Sequence, residues 1–115
     1  MTLSEEKNGH VSILGLSGRF DQEGAKVFGE KIAQILAGGG RYILLDFTEV
    51  TYISSAGLRE LVMAAKQLAS ASGMMVLAGL TEPVRKVFQL CNMDSIFTIR
   101  TTRAESLSLF PRPAS

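Results

Sequence analysis

The sequence has one cysteine and one histidine in 115 residues, and this scarcity argues against several kinds of site. Cys91 has no second cysteine with which to form an internal disulfide. It falls on the apolar side of a predicted helix, where we expect a small buried side chain. His10, next to Asn8-Gly9, is interpreted as a solvated turn residue. A lone histidine without a cysteine cluster gives no support for a zinc or iron site, so we expect no metal and no cofactor.

Long apolar runs and an excess of charge of one sign are also missing. No run approaches the roughly 18 apolar residues that read as a membrane-spanning helix, and the first residues are polar and acidic, unlike a signal peptide. The chain has 12 basic and 11 acidic residues and a net charge of +1, without the basic stripe typical of nucleic-acid binders. We therefore expect a cytoplasmic protein with no membrane insertion and no nucleic-acid partner.

The chain does contain enough apolar residues for one folded domain. Its hydrophobic fraction is 46% and its charged fraction 20%, and its length suits a single domain. Strand-like and helix-like segments alternate after two initial strands, which predicts an α/β fold with a mostly parallel sheet of about five strands and about four helices. Asn8-Gly9 predicts an N-terminal hairpin. We place the domain at residues 1–110 and a flexible tail at residues 111–115.

Glycines and capping residues predict where the elements begin and end. Gly18 is expected to end the second strand, and Asp21 to cap the first helix. The second helix is expected at about residues 55–72, and the last strand at residues 96–99. The stripe predicted to be buried along the second helix comprises Leu58, Leu61, Val62, Ala65, Leu68 and Ala69.

Two serines, Ser54 and Ser55, stand where the second helix is expected to begin, after a buried strand at residues 42–47 and a short loop. A helix N-terminus favours added negative charge. A serine there can be a cap that contributes roughly 1 kcal/mol, or a phosphorylation site. Gly57 in the first turn costs about 1 kcal/mol relative to alanine, and we expect it to leave backbone open to a partner or a phosphate.

Catalysis by these serines is not expected. A nucleophilic serine needs a base and an orienting partner, and the only histidine lies in a distant hairpin. The residues around Ser55 also lack the Gly-x-Ser-x-Gly elbow of hydrolases. We therefore do not interpret the chain as an enzyme.

Two motifs resemble those of a known family. Residues 45–58, LDFTEVTYISSAGL, closely resemble the signature of bacterial anti-sigma factor antagonists, the STAS domain family. Residues 17–21, SGRFD, are similar to that family's Gly-x-Leu/Phe-Asp element after the second strand. The resemblance covers nearly the whole chain and implies a STAS-like single domain.

The family's switch usually reads Asp-Ser-Ser/Thr-Gly-Leu, and its first serine is phosphorylated. Alignment on Gly57 and Leu58 brings this serine onto Ser55. The usual aspartate is replaced by Ser54, which is an alternative acceptor, and the second hydroxyl residue is replaced by Ala56.

The resemblance implies a partner-switching function. The unphosphorylated protein would bind an anti-sigma factor that is also a serine protein kinase, and this binding would release the sigma factor. Phosphorylation of Ser55 would stop the binding, and a PP2C-type phosphatase would reverse it. Arg59 lies one turn beyond Ser55, close enough to touch a phosphate or an acidic partner residue. The implied partner-binding residues are Asp21, Ser54, Ser55, Ala56, Gly57, Leu58 and Arg59.

Two other interpretations remain open at this point. In the first, the chain is a STAS accessory subunit of a transport or signalling complex, and both serines are only caps. In the second, the chain binds or hydrolyses a nucleotide, although no Walker-type loop is present. The Ser55 hydroxyl separates the switch from the accessory subunit, because only the switch requires it.

Overall fold

A computed structural model describes residues 1–111. Most of the tail predicted at residues 111–115 lies outside that range, from position 112 onward. The described elements are β1 (Thr2–Asn8), β2 (Val11–Phe20), α1 (Gln22–Ala37), β3 (Tyr42–Ile53), α2 (Ser55–Ser70), β4 (Met74–Ala78), α3 (Glu82–Leu90), β5 (Thr98–Arg100) and α4 (Arg103–Leu107).

The five strands form one sheet in the order β1-β2-β3-β4-β5. β1 and β2 are an antiparallel hairpin that turns at Gly9, whose φ of +62° suits glycine. The other neighbouring strands are parallel, with a helix between each pair. The predicted α/β class, the N-terminal hairpin and the numbers of strands and helices are confirmed.

The sheet separates two cores of unequal size. Side chains of α1, α2 and α3 pack on one face, where the ring of Phe20 contacts those of Phe28 and Phe47, and the ring of Phe47 also contacts that of Phe88. We call this the helix face. The opposite face is closed by α4 and Phe110 over a smaller cluster, and we call it the second face. The buried residues of the smaller cluster are Val11, Ile13, Leu44, Val76, Ala78 and Phe110.

Two strands run further than the sequence predicted. β2 does not end at Gly18, because this residue, at φ +97°, takes part in a bulge and the strand continues to Phe20. β3 continues through residues 48–53, which were predicted to be a loop, because these residues pair with the extended β2. The prediction of a strand break at Gly18 and of a loop before Ser54 was wrong.

Smaller differences occur at the helices. α2 ends at Ser70 rather than near residue 72, and Ala69 on its predicted buried stripe is exposed. Cys91, predicted to be buried, is exposed because α3 ends at Leu90 and the helical periodicity stops there. The last strand is Thr98–Arg100 and not residues 96–99.

His10, predicted to be solvated, is half-buried. Its Nε2 lies 2.6 Å from the carbonyl oxygen of Pro111, and its ring packs edge-on against Tyr42 with the centroids 4.8 Å apart. Among residues 1–111 no group of three or more His, Cys, Asp or Glu side chains is arranged to hold a metal ion. Within the same range, none of the helices combines the length and apolarity needed to cross a membrane.

Candidate functional site

The register of two parallel strands brings two helix starts together. The last pair of the β2–β3 ladder is Phe20 with Ile53. The next residue of each chain segment caps the following helix: Asp21 caps α1, and Ser54 caps α2. Both caps therefore lie side by side at the carboxyl edge of the parallel strands, which is where ligands and partners commonly meet open α/β sheets.

Asp21 is the helix cap that the sequence predicted. Its Oδ1 accepts a hydrogen bond of 3.0 Å from the backbone N–H of Gly24. This bond is the main cause that holds the pKa of the Asp21 carboxyl below its ordinary value, and the charge of Arg19 makes a smaller contribution in the same direction. Asp21 therefore keeps a negative charge at this edge at neutral pH.

Ser54 is fixed in place by three hydrogen bonds. Its hydroxyl accepts a bond of 3.2 Å from the N–H of Gly57, as an N-cap does, and donates one of 3.3 Å to the carbonyl oxygen of Phe20. Its own N–H donates to the same oxygen at 3.0 Å. Ser54 is half-buried, so its hydroxyl already has a structural role between β2 and α2.

Ser55 is arranged differently from its neighbour. It is the first residue of α2 and is exposed, and its hydroxyl makes no hydrogen bond to another residue within 1–111. The N–H groups of the first helical turn have no intrahelical acceptor, and α2 has no acidic residue in that turn. A negative charge on Ser55 would therefore face a favourable helix dipole that no neighbouring side chain of the turn already compensates.

The remaining predicted site residues of α2 divide between the surface and the core. Arg59 is exposed and Ala56 is half-buried, whereas Gly57 and Leu58 are buried. A Cβ on Gly57 would lie 2.7 Å from both the carbonyl oxygen and a ring carbon of Phe20. Gly57 therefore permits close packing of α2 on β2, and the expectation that it leaves backbone open to a partner was wrong.

Sequence reasoning missed two contributors to this edge. The guanidinium of Arg19 lies over the ring of Tyr52, 4.1 Å from its centroid, and the hydroxyl of Thr81 donates to the carbonyl oxygen of Val50 at 2.7 Å. The Thr81 bond ties the start of α3 to β3. Neither contact could be expected while Gly18 was taken as the end of β2 and residues 48–53 as a loop.

A serine–histidine pair is not formed at this site. His10 contacts Tyr42, the first residue of β3, whereas Ser55 follows the last residue of the same strand. A strand of that length separates the two by roughly 35 Å. Among residues 1–111, therefore, no histidine lies beside either serine to act as its general base.

The chain belongs to the STAS domain family, whose family model matches residues 3–106. Within this family it is similar to a candidate anti-sigma factor antagonist of Bordetella bronchiseptica, BtrV. The two are 34% identical over 110 residues, which cover 96% of this chain and 95% of BtrV. Among solved structures it is similar to the candidate anti-sigma factor antagonist TM1081 of Thermotoga maritima. That match has a TM-score of 0.87 and 27% identity, and it covers 92% of each chain.

A more distant likeness concerns the fold alone. The Bacillus cell fate determinant SpoIIAA, in its phosphorylated form, matches with a TM-score of 0.74 and 19% identity, over 93% of this chain and 97% of SpoIIAA. The STAS fold that the sequence motifs implied is thus confirmed by the family model and by the structure.

Proposed function

We propose that this protein is an anti-sigma factor antagonist controlled by phosphorylation of Ser55. In its unmodified form it binds an anti-sigma factor that is also a serine protein kinase, and the bound anti-sigma factor releases its sigma factor. The kinase phosphorylates Ser55 and ends the interaction, and a PP2C-type phosphatase restores it. Such a regulator of transcription acts in the cytoplasm.

The observation that carries the proposal is the contrast between the two serines. A kinase needs a hydroxyl that it can reach, and Ser55 is exposed whereas Ser54 is bonded to Gly57 and Phe20. This contrast favours Ser55 as the acceptor over Ser54. The similarity to candidate anti-sigma factor antagonists supports the partner class.

The proposed switch is electrostatic and requires no refolding. A phosphate adds a charge of about −1.5 to −2 at neutral pH, which the α2 N-terminus tolerates in the free protein. A partner that covers Ser55 would have to desolvate this charge beside the ionised Asp21. A penalty of about 3–4 kcal/mol would weaken binding by a factor of several hundred. In this proposal Gly57 and Leu58 position the helix, and Asp21, Ser54, Ser55, Ala56 and Arg59 line the docking edge.

The first test is capture of partners from a lysate of the native host. Wild type, Ser55→Ala and Ser55→Glu serve as baits, and mass spectrometry identifies the captured proteins. Wild type and Ser55→Ala should retain a kinase-like anti-sigma factor that Ser55→Glu loses. Equal retention of a transport or scaffold component by all three baits would contradict the switch.

The second test identifies the acceptor. The captured anti-sigma factor is purified and incubated with ATP and each bait, and the phosphorylated residue is located by mass spectrometry. Ser55→Ala should abolish phosphate incorporation, whereas the matched control Ser54→Ala should keep it. Incorporation at Ser54 in the wild type would refute the assignment to Ser55.

A further inference from the structure

Arg19 and Tyr52 form a charged aromatic pair at the docking edge, and neither belongs to the residues assigned above. They are lateral neighbours in the β2–β3 ladder, and the guanidinium carbon lies 4.1 Å from the ring centroid. Both side chains are exposed, and 38% of Tyr52 remains accessible. Arginine and tyrosine are both enriched among the residues that dominate the binding energy of protein interfaces.

Arg19 makes no direct salt bridge with a carboxylate among residues 1–111. The ion pairs in that range join Lys31 to Glu5 and Arg103 to Glu6 and Asp46. Stacking uses the flat face of the guanidinium and leaves the N–H groups on its rim free to donate. Arg19 therefore presents several unused donors to the solvent, and its charge is balanced only in part, through space, by the nearby Asp21 carboxylate.

The backbone beneath this pair is held firmly. The hydroxyl of Thr51 donates to the carbonyl oxygen of Gly18 at 3.3 Å, and the N–H of Ser54 donates to that of Phe20. A pair whose backbone and stacking geometry are already fixed loses little conformational entropy when a partner binds. The pair also lies two residues before each helix cap, at the carboxyl end of β2 and β3 that leads into the start of α2.

We propose that Arg19 and Tyr52 are the specificity-determining anchor of the docking edge, and that the anti-sigma factor presents a carboxylate to Arg19 and an apolar side chain to Tyr52. This inference rests on the proposed function. A planar guanidinium with free rim donors matches a carboxylate in a bidentate geometry. The exposed tyrosine ring beside it provides apolar area that excludes water from the ion pair.

The anchor also explains the direction of the switch. A partner carboxylate placed at Arg19 brings negative charge to the edge that carries Ser55. A phosphate on Ser55 then repels the incoming carboxylate and competes with it for the positive charge of Arg19. Phosphorylation therefore weakens this particular partner more than it would weaken one that docked with neutral or basic groups.

The test measures affinity by calorimetry, with the purified anti-sigma factor captured above as the probe. Arg19→Ala and Tyr52→Ala should each weaken binding about tenfold or more. Arg19→Glu should weaken it about a hundredfold, because like charges then face each other. Tyr52→Phe keeps the ring and should bind within about twofold of wild type. The affinity of Arg19→Ala should also depend less on salt than that of wild type.

A matched charge reversal separates the local effect from a general one. Lys66 is exposed on α2, about 16 Å along the helix axis from Ser55. Lys66→Glu changes the net charge as Arg19→Glu does and should leave affinity within about twofold. Thermal melting should be unchanged in both, since both side chains are exposed. If Arg19→Glu binds as well as Lys66→Glu, the anchor is refuted.

Charge exchange identifies the partner carboxylate. Each exposed Asp or Glu on the docking side of the anti-sigma factor is changed to Arg and paired with Arg19→Glu. Restoration of at least about tenfold in affinity by one such pair supports the anchor, and failure of every pair refutes it. An anchor that holds while Ser55→Ala and Ser55→Glu bind equally would refute the phosphorylation switch alone.

Discussion

The two faces of the sheet differ in what holds them together. The helix face is covered by α1, α2 and α3, which meet over interlocking phenylalanine rings and contain most of the buried apolar side chains. The second face is covered by the short helix α4 and by Phe110, whose ring lies edge-on to Tyr42 at 6.1 Å. Burial of apolar area is the larger source of stability, so the helix face should dominate the stability of the domain.

Ion pairs as well as apolar contacts hold α4 against the second face. Arg103, the first residue of α4, donates from Nε to Asp46 on β3 at 2.7 Å and from Nη1 to Glu6 on β1 at 2.8 Å. Burial raises the pKa of Asp46, but the hydrogen bonds from Thr48 and Arg103 outweigh it, and the pKa lies below its ordinary value. The bonds to Glu6 and Asp46 raise the pKa of Arg103.

This difference explains where a docking site can be placed. Ser54 and Ser55 stand at the start of α2, where the helix face ends, so the strongly packed core fixes their positions. The second face depends partly on ion pairs that salt and acid weaken. A switch built there would be less sharply positioned than one at the start of α2.

The largest expected effect comes from the helix face. Phe47 is fully buried between the rings of Phe20 and Phe88. Phe47→Ala should lower the free energy of unfolding by about 3–5 kcal/mol, through lost burial and the remaining cavity. Urea unfolding followed by circular dichroism measures this loss, and a change below about 1 kcal/mol would contradict the dominance of this core.

The matched substitution on the second face should lower the free energy of unfolding by a smaller amount. Phe110 is 6% exposed, and the cluster that it closes has fewer buried residues than the core of the helix face. Phe110→Ala should lower the free energy of unfolding by roughly 2 kcal/mol. Hydrogen exchange should rise more in α4 than in α1 and α2. A loss equal to that of Phe47→Ala would remove the distinction between the two faces.

The two serines provide a smaller and sharper comparison. Ser54→Ala removes the cap of α2 and should lower the free energy of unfolding by about 1 kcal/mol. Ser55→Ala removes a hydroxyl without partners in residues 1–111 and should change it by less than about 0.5 kcal/mol. Thermal unfolding of both variants and of wild type measures these changes. Equal losses of stability would show that the Ser55 hydroxyl contributes to stability as much as the Ser54 cap does.

The smallest expected effect is the pH dependence of the stability that Asp46 gives to the second face. The pKa of Asp46 is lower in the folded protein than in the unfolded chain, where it is about 3.9. The ionised carboxylate therefore stabilises the folded state above that pH, and this stabilisation is lost as the pH falls through the pKa of the folded protein. Asp46→Asn lacks this contribution at every pH. The variant should be less stable than wild type near neutral pH by up to about 1 kcal/mol, since part of the Arg103 pair is exposed.

The difference in the free energy of unfolding between wild type and Asp46→Asn should become smaller as the pH falls below about 4. Urea unfolding at a series of pH values measures it, with Glu49→Gln as a control for general loss of negative charge, because Glu49 is exposed on the same strand. A difference that stays constant down to about pH 3 would show that Asp46 stabilises the second face without its charge.

The sequence by itself determined the order of the elements, the N-terminal hairpin and the cap of α1. These features depend on residues close in the chain: the apolar periodicity, the Asn8-Gly9 turn, and polar residues such as Asp21 at helix starts. The family motif likewise lies within one continuous segment, so the resemblance could be drawn from sequence alone.

Only the tertiary structure decided how the edge is assembled. The bulge at Gly18 extends β2, and the pairing of Phe20 with Ile53 turns a predicted loop into strand. That pairing gives Ser54 its acceptor on β2, buries Gly57 against Phe20 and stacks Arg19 on Tyr52. Each contact joins residues more than thirty positions apart, and local periodicity contains no information about which distant strands pair or in what register.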